Sequence, residues 1–142
     1  MMSKLNKNAT PSIKLIKNYI KDLSFENPQS INENNYENNN NNDISANIGF
    51  IYEPFKNNFF SVIMKYSCEC SSTNGKKLFV LELDYFGFFK ILGDTHISQS
   101  ELTKAGAKLI LPFVKSIIED ITKNGGSITI SIEDIDFDLI KV

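Results

Sequence analysis

Phe59–Ile91 reads FFSVIMKYSCECSSTNGKKLFVLELDYFGFFKI and contains two runs in which apolar and polar residues alternate. The apolar positions of the first run are Phe60, Val62, Met64, Tyr66, Cys68 and Cys70. Those of the second run are Phe79, Leu81, Leu83, Tyr85, Phe89 and Ile91. Asn74-Gly75 separates the runs, and Asn-Gly between alternating runs is a strong signal for a β-hairpin. The stretch therefore predicts two neighbouring antiparallel strands.

Two further alternating runs precede this hairpin. The first has Ile13, Leu15, Tyr19, Leu23 and Phe25 on one parity, and the second has Ile44, Ala46, Ile48, Phe50 and Tyr52. Pro54 and Asn57-Asn58 predict a turn into the next strand. Four successive strands with short or flexible connections predict an antiparallel sheet.

A helix is predicted after the strands, because the apolar period changes from two to about 3.6. Ser98-x-x-Glu101 is a capping-box pattern at its start, and Asn124-Gly125-Gly126 predicts its end. The stripe expected to face the sheet is Leu102, Ala105, Leu109, Phe113, Ile117 and Ile121. The predicted fold class is α+β, a four-stranded antiparallel sheet with a long C-terminal helix packed on it.

The length of 142 residues fits one domain, which we place at residues 12–142. Residues 1–11 are polar and end in Pro11, so they predict a flexible N-terminal tail. Residues 27–43 include five consecutive asparagines, Asn38–Asn42, and this composition predicts a mobile loop.

The composition argues against two classes of protein. All 15 basic residues are lysine and the net charge is -2, whereas nucleic-acid binders are basic and use arginine. No apolar run approaches the roughly 18 residues that span a bilayer, so stable membrane insertion is not expected. Met1–Asn8 lacks the apolar region of a secretory signal, and we expect a cytoplasmic protein.

No sequence pattern predicts catalysis, a cofactor or a metal centre. Cys68 and Cys70 are at most half of a metal site, and His96 is the sole histidine. In a reducing compartment two thiols on one strand face are the simplest expectation. The glycine-rich, GxSxG and HExxH signatures are absent from the sequence. We therefore expect a binding protein and not an enzyme.

The predicted helix has more apolar surface than one sheet can cover. Ile110, Leu111, Val114 and Ile118 lie outside the stripe assigned to the sheet. One helix on one sheet buries one stripe, so these residues predict contact with another copy of the chain. A single wide stripe is the alternative interpretation.

The fourth strand predicts an acidic surface beside an apolar one. Its even positions include Glu82 and Asp84, and then Phe86 and Phe88 on either side of Gly87. An exposed acidic strip favours a basic partner, and exposed aromatics usually mark a contact site or fill an oligomer interface. Gly87 predicts a bulge or a close backbone approach.

Three segments resemble the family of the bacterial protein-export chaperone SecB. Tyr19–Pro28, YIKDLSFENP, is similar to the family's first-strand signature, an aromatic followed by K-D-[LI]-S-[FL]-E-x-P. Glu82–Phe89, ELDYFGFF, resembles the fourth-strand pattern E-[LV]-x-Y-x-G-x-F. Leu109–Lys115, LILPFVK, is similar to the helix segment around F-P-[YF]-A-R, and the three segments occur in the family's order.

The resemblance implies a dimer of dimers that binds unfolded precursor polypeptides without ATP and delivers them to the SecA motor. It implies a SecA-contact face at Asp22, Glu26, Val80 and Glu82. It also implies a client groove at Ile44, Ala46, Ile48, Phe137 and Leu139, to which the strand parity adds Phe86 and Phe88.

Three other functions stay open at this point. The first is a SecB-like chaperone dedicated to one client, such as an antitoxin. The second is an adaptor protein that only oligomerises and ignores unfolded chains. The third is an enzyme or small-ligand carrier, which requires a closed pocket with converging polar groups.

Overall fold

The fold comes from a computed structural model, which describes residues 11–28, 42–72, 75–126 and 130–132. Its elements are β1 (Ile13–Glu26), β2 (Asn42–Pro54), β3 (Phe59–Ser72), β4 (Lys77–Ile91) and α1 (Gln99–Asn124). The predicted α+β class is therefore confirmed. The tail predicted at 1–11 and the loop predicted at 27–43 lie mostly outside the described residues, although β2 already begins at Asn42.

The sheet has the strand order β1-β4-β3-β2, and all neighbouring strands are antiparallel. The β2–β3 connection contains Asn57 and Asn58, both at positive φ, a conformation that asparagine tolerates better than most residues. The Asn-Gly signal is confirmed by the β3–β4 hairpin, where Gly75 has φ +85°. The connection from β1 crosses to the far edge, so β1 and β2 are the two edge strands.

The helix covers one face of the sheet, which we call the helix face; the opposite face is the outer face. The parity predicted for β3 and β4 is confirmed on the helix face, where these strands bury Phe60, Val62, Met64, Tyr66, Cys68, Cys70, Phe79, Leu81, Leu83, Tyr85 and Phe89. Burial of large apolar side chains at about 1.5–3 kcal/mol each is the main force that holds helix and sheet together.

The single parity predicted for β1 was wrong, because two register irregularities interrupt the strand. They lie between Leu15 and Lys17 and between Ile20 and Asp22 in the pairing with β4. Each extra residue in a bulge moves the following side chains to the other face, and the second bulge reverses the effect of the first. Tyr19 therefore lies opposite Phe86 on the outer face. Ile13 and Leu15 before the first irregularity, and Leu23 and Phe25 after the second, lie on the helix face.

Helix α1 has the predicted caps, but its middle turns present a different face to the sheet from the one predicted. The Ser98 hydroxyl accepts from the Glu101 N–H at 3.2 Å, and Gly125 follows the last turn. The four residues predicted to meet another copy of the chain, Ile110, Leu111, Val114 and Ile118, are buried in the chain's own core. Leu109 and Phe113, predicted to face the sheet, are 41% and 44% exposed. The assignment was therefore wrong at these six positions, whereas Leu102 and Ala105 of the predicted sheet-facing stripe are buried and Ile117 and Ile121 pack against the core.

The helix lies against the sheet at Gly87, which confirms the predicted close approach. Gly87 pairs with Val62 and Asn18 without a register shift, so it is not a bulge. A Cβ atom on Gly87 would lie 2.8 Å from Ile110 Cγ2 and 2.8 Å from Phe89 Cζ, both in fully buried side chains. A glycine at this position therefore sets how closely helix and sheet pack.

We expect Gly87→Ala to lower the free energy of unfolding by about 1–3 kcal/mol, because it overpacks a filled core. The matched control is Gly49→Ala in β2, where an added Cβ meets nothing within 4 Å. Since alanine restricts the unfolded chain more than glycine, the control should be neutral or stabilising by under about 1 kcal/mol. Urea unfolding measures both, and equal effects at the two positions would contradict the packing argument.

The residues after the helix are held by one buried threonine. Thr122 Oγ1 donates to the Ile118 carbonyl at 2.8 Å and accepts from the Ile130 N–H at 3.0 Å. Ile130 is buried, and Ser131 Oγ donates to Glu119 at 3.0 Å. Ile130 and Ser131 are thereby held against the last turns of α1.

We expect Thr122→Val to destabilise the protein by about 1–3 kcal/mol, since it leaves the buried Ile130 N–H without an acceptor. Thr103→Val is the matched control, because the Thr103 hydroxyl only donates to the Gln99 carbonyl, at 2.7 Å. Hydrogen exchange should accelerate at the Ile130 amide in the first variant only. Unchanged protection of that amide would show that Thr122 does not hold the segment.

Candidate binding surfaces of the sheet

Five rings form a continuous aromatic ladder on the outer face: Tyr19, Phe86, Phe88, Phe59 and Phe55. Ring centroids are 4.8 Å apart between Tyr19 and Phe86, 6.5 Å between Phe86 and Phe88, and 5.1 Å between Phe88 and Phe59. Phe55 meets Phe88 edge to face at 5.5 Å. The ladder crosses β1, β4 and the start of β3.

The aromatic ladder is open at its Phe55 end. Pro54, Phe55, Lys56, Phe59 and Phe88 line an open groove there, and Phe55 is 44% exposed. Adjacent aromatic side chains on a surface provide large contact area at little cost in side-chain entropy. The groove is open and shallow, so it suits a passing segment of polypeptide better than an enclosed small molecule.

An acidic cluster, Asp22, Glu26, Glu82 and Asp84, occupies the other half of the outer face. In the β1–β4 register Asp22 lies opposite Asp84, Ser24 opposite Glu82, and Glu26 opposite Val80. The structure therefore brings together on one surface the four residues predicted to contact SecA. The SecA-contact set omitted Asp84, which forms an ion pair with Lys65 at 3.0 Å.

The acidic cluster carries an electrostatic cost within the fold. Like charges directly opposite each other on neighbouring strands are destabilising, by up to about 1 kcal/mol for such a pair. The Lys65 ammonium offsets part of this for Asp84, but the pair is exposed and contributes little in water. A basic partner laid across Asp22 and Glu82 would relieve the repulsion, so the arrangement is suited to binding cations.

The residues predicted for one client groove lie on two different faces. Ile44, Ala46 and Ile48 pair with Cys70, Cys68 and Tyr66, which places them on the helix face at the β2 edge. Phe86 and Phe88 belong to the aromatic ladder on the outer face. The two sets therefore cannot line one groove, and Phe137 and Leu139 lie outside the described residues.

A third apolar surface lies on the exposed side of α1. We call Leu109 and Phe113 of α1, together with Ile20 of the adjoining strand β1, the helix stripe. Phe113 stacks on Tyr85 at 6.1 Å, and Ile20 lies opposite Tyr85 in the β1–β4 pairing. All three side chains are more than 40% exposed although they adjoin the core. An apolar helix face next to an edge strand is suited to packing against another folded surface.

The cysteines and the histidine of the described residues lie in surroundings that do not activate them. Cys68 and Cys70 are free thiols in the core, and burial raises the pKa of both, which keeps them protonated and unreactive. His96 is exposed, and its backbone N–H donates to Asp94 Oδ1 at 2.8 Å. Across residues 11–28, 42–72, 75–126 and 130–132, no group of three or more His, Cys, Asp or Glu side chains is placed to hold a metal ion.

Sequence reasoning missed three of the five rings of the aromatic ladder. Tyr19 was assigned to the core because the bulges of β1 leave no mark in the alternation. The alternation predicts no role for Phe55, next to the predicted turn, or for Phe59, which precedes the first residue of the buried parity. One signal was available, since Phe55, Phe59 and Phe60 lie close together in the sequence where the third strand begins, and Phe86, Phe88 and Phe89 lie where its hairpin partner ends.

The open sheet face and the exposed helix stripe are surfaces suited to contact with other polypeptides, as in a polypeptide-binding protein. The family model described as preprotein translocase subunit SecB matches residues 6–140. The chain is 32% identical to the protein-export protein SecB of Hyphomonas neptunium, over 89% of this chain and 75% of the relative. It is 34% identical to that of Xanthobacter autotrophicus, over 92% and 83%.

The chain therefore belongs to the SecB family of protein-export chaperones, and the resemblance found in the sequence is confirmed. Among solved structures it is similar to the Mycobacterium tuberculosis Rv1957 SecB-like chaperone, in complex with a ChAD peptide from the HigA1 antitoxin. The TM-score is 0.69 over 87% of this chain and 91% of the other, at 7% identity, so this likeness shows the shared fold. No helix in the described residues is long and apolar enough to cross a membrane.

Proposed function

We propose that the chain holds unfolded precursor polypeptides in the bacterial cytoplasm, without ATP, and delivers them to the SecA motor. The observation that carries this proposal is the outer face, where the aromatic ladder and the acidic cluster are adjacent on one sheet. An unfolded client exposes apolar side chains that a folded protein hides, and each buried methylene contributes about 0.8 kcal/mol. Many weak contacts along an open surface select unfolded chains.

Delivery to SecA uses the acidic cluster in this proposal. Membership of the family supports it, as does the position of Asp22, Glu26, Val80 and Glu82 on two neighbouring strands. The aromatic ladder begins at Tyr19 and Phe86, and Phe86 is two residues along β4 from Asp84 on the same face. In this proposal client and motor therefore occupy adjoining parts of one surface. The motor can therefore meet the client while the chaperone still holds it.

The proposed assembly is a dimer of dimers in which the helix stripe forms one of the two interfaces, with Leu109 and Phe113 in place of the four buried residues first assigned. The support is that these side chains stay exposed beside the β1 edge. An oligomer presents several ladders to one client, and linked weak sites raise the overall affinity through effective concentration. The binding function needs no catalytic group.

A holding assay tests the client part of the proposal. A precursor diluted from urea should stay soluble in the presence of the chaperone without ATP, and the same precursor once folded should not bind. Phe55→Ser with Phe88→Ser should weaken binding about tenfold, because both side chains supply ladder surface. Leu92→Ser is the matched control, since Leu92 is equally exposed but outside the ladder.

The outcome of this assay separates the remaining functions. Light scattering reports aggregation, and sizing with light scattering reports the complex. A chain that ignores every unfolded precursor contradicts the proposed function and favours an adaptor that only oligomerises. A chain that holds one polypeptide and no other favours a chaperone dedicated to a single client.

A further inference from the structure

One apolar row crosses the outer face from edge to edge of the sheet. In the strand register Tyr19 lies opposite Phe86. Phe86 lies opposite Ile63, which in turn lies opposite Ile51 on β2. Tyr19 and Ile51, at the two edges, are 43% and 46% exposed. Because the inner faces of a β-sandwich pack through such rows of large side chains, this apolar row is suited to packing against a second sheet.

The charges on the two sides of the apolar row are opposite in sign. The paired outer-face residues of the next two rows on each side form comparable sets within the described strands. On the side of the aromatic ladder they include three lysines and one glutamate, a net charge of +2: Lys14, Lys17, Lys90 and Glu53. On the side of the acidic cluster they include three carboxylates and one lysine, a net charge of -2: Asp22, Glu82, Asp84 and Lys65. The unpaired residues of the two irregularities of β1, Ile16 and Lys21, belong to neither set.

A two-fold rotation about the apolar row makes this surface complementary to itself. The rotation superposes each strand on its own copy and exchanges the two sides of the row. Lys17 and Asp22 are each one row from the apolar row on β1, so each would meet the other in the second copy. Lys90 and Glu82 are each two rows from it on β4 and are exchanged in the same way. An isologous contact makes each pair twice, so opposite charges would meet on both sides of an apolar centre.

The rest of the aromatic ladder fits the same rotation. Phe88 is one row from the apolar row on β4, at the position that exchanges with Asp84, which forms an ion pair with Lys65. The lysine ammonium of that pair would lie near the Phe88 ring, and aromatic faces attract cations. Packed sheets cross at about 30°, which an axis turned by half that angle from the row provides while it still exchanges the two sides.

We infer that the outer face docks on the outer face of a second copy of this chain, with the lysine side of each copy against the acidic side of the other. The contact lies on the face opposite α1, so it adds to an assembly through the helix stripe and does not compete with it. It covers both the aromatic ladder and the acidic cluster. The docked pair is therefore a resting form, which a client or SecA has to displace.

The order of the charges is the reason to name a second copy as the occupant. A partner that binds the acidic cluster needs only basic groups, and one that covers the rings needs only apolar groups. The outer face of another copy presents both signs of charge on either side of an apolar row, in the order that the rotation requires. This inference goes beyond the proposed function, because it concerns the chaperone before it meets a client.

Sedimentation velocity from micromolar to submillimolar protein concentration measures the docking. The mass should rise with concentration above that of the assembly present at micromolar concentration. At about 0.5 M salt the docking should weaken about tenfold, since exposed ion pairs are screened. Ile51→Ser should also weaken docking about tenfold, because it removes apolar contact twice in the pair. Since Ile51 lies outside the aromatic ladder, this variant should hold unfolded precursor as well as the original chain does.

The decisive experiment exchanges the charges of the two sides. Lys17→Glu with Lys90→Glu makes the outer face acidic on both sides of the apolar row, and Asp22→Lys with Glu82→Lys makes it basic on both sides. Each double variant alone should dock at least about tenfold more weakly than the original chain, because like charges then meet. An equimolar mixture of the two should dock again, since every exchanged pair becomes one of opposite charges.

The matched control is Lys108→Glu with Lys123→Glu on the exposed side of α1. It changes the net charge as much as the acidic double variant does but leaves the outer face unaltered, so it should dock like the original chain. Mixed with the basic double variant, it should restore less docking than the acidic double variant restores. Urea unfolding of each variant shows whether the fold is retained.

The outcomes distinguish this inference from the proposed function. A mass that does not rise with concentration overturns the inference, while holding of unfolded precursor still upholds the proposed function. Docking that survives in either double variant, that the mixture fails to restore, or that the control loses equally also overturns it, because the order of charges would then not join the copies. A chain that docks with itself in the expected way but holds no precursor upholds the inference and contradicts the proposed function alone.

Discussion

Reversing two charges of the acidic cluster, Asp22→Lys with Glu82→Lys, should abolish SecA binding and leave client holding within about twofold. Both carboxylates lie on the outer face of neighbouring strands, beside the aromatic ladder but outside it. Placing like charges in contact with a basic partner costs several kcal/mol, so the pair of reversals should weaken SecA binding at least about hundredfold. Calorimetry with purified SecA measures the loss.

For the same variant we also expect a change in stability, and this change distinguishes a lost contact from a damaged fold. Asp22 lies opposite Asp84, so Asp22→Lys converts a like-charge pair into an opposite-charge pair. Such a change on neighbouring strands is worth about 0.2–1 kcal/mol, and the free energy of unfolding should rise. A variant that is at least as stable as the original and yet fails to bind SecA has lost a contact and kept its fold.

The matched control is Glu53→Lys, compared with the single variant Glu82→Lys. Glu53 lies on the same outer face in the half that holds the ladder, and it is exposed. Each single substitution changes the net charge by two, so an effect of net charge alone would appear in both. SecA affinity that survives both Asp22→Lys and Glu82→Lys would show that the motor contacts a different surface.

The fold was predictable in those strands where apolar and polar side chains alternate and the hydrogen-bond pairing with the neighbouring strands is regular. In β3 and β4 both neighbours are strands and one face is wholly buried, so every second residue is apolar from Phe60 to Cys70 and from Phe79 to Phe89, where Gly87 marks the close contact with the helix. In β1 the same reasoning failed, because a bulge is a mismatch of two residues against one on the partner strand. The sequence Leu15-Ile16-Lys17 contains no signal for how β4 pairs with it.

The prediction of which helix face packs on the sheet was wrong for a different reason. The stripe through Leu109 and Phe113 and the stripe through Ile110 and Val114 both have the helical period, and hydrophobicity alone does not choose between them. Close approach to the sheet makes the choice, since an added Cβ on Gly106 would lie 3.0 Å from Phe89 and 3.0 Å from Val62. Small residues at Gly106 and Ala107 were therefore the available signal for the face that packs on the sheet.

The binding surfaces were only partly predictable, because they combine residues from distant parts of the chain. The acidic cluster could be assembled from the resemblance, which identified positions on the first and fourth strands before their register was known. The aromatic ladder could not, since it requires the bulge that turns Tyr19 outward and the turn that brings Phe55 to Phe88.

Leu109→Gln with Phe113→Gln should dissociate the proposed assembly into smaller species. About half of each side chain is already buried in the chain, so each should contribute about 1 kcal/mol to a contact between copies. In an isologous interface each substitution counts twice, which gives a total of about 4 kcal/mol, or roughly a thousandfold in the dissociation constant. Light scattering on a sizing column at micromolar concentration should therefore show a clear fall in mass.

The control for this change is Lys108→Gln, one residue away on the same helix and also exposed. Glutamine is a good helix former, so neither variant should unfold α1. The dissociated variant keeps its aromatic ladder and should still bind short peptides normally, but it should hold long unfolded precursors more weakly, because several linked sites have become one. If the original chain already has the mass of a single copy, or if the double variant keeps the mass of the original, the helix stripe does not join copies of the chain, and its exposure must serve another contact.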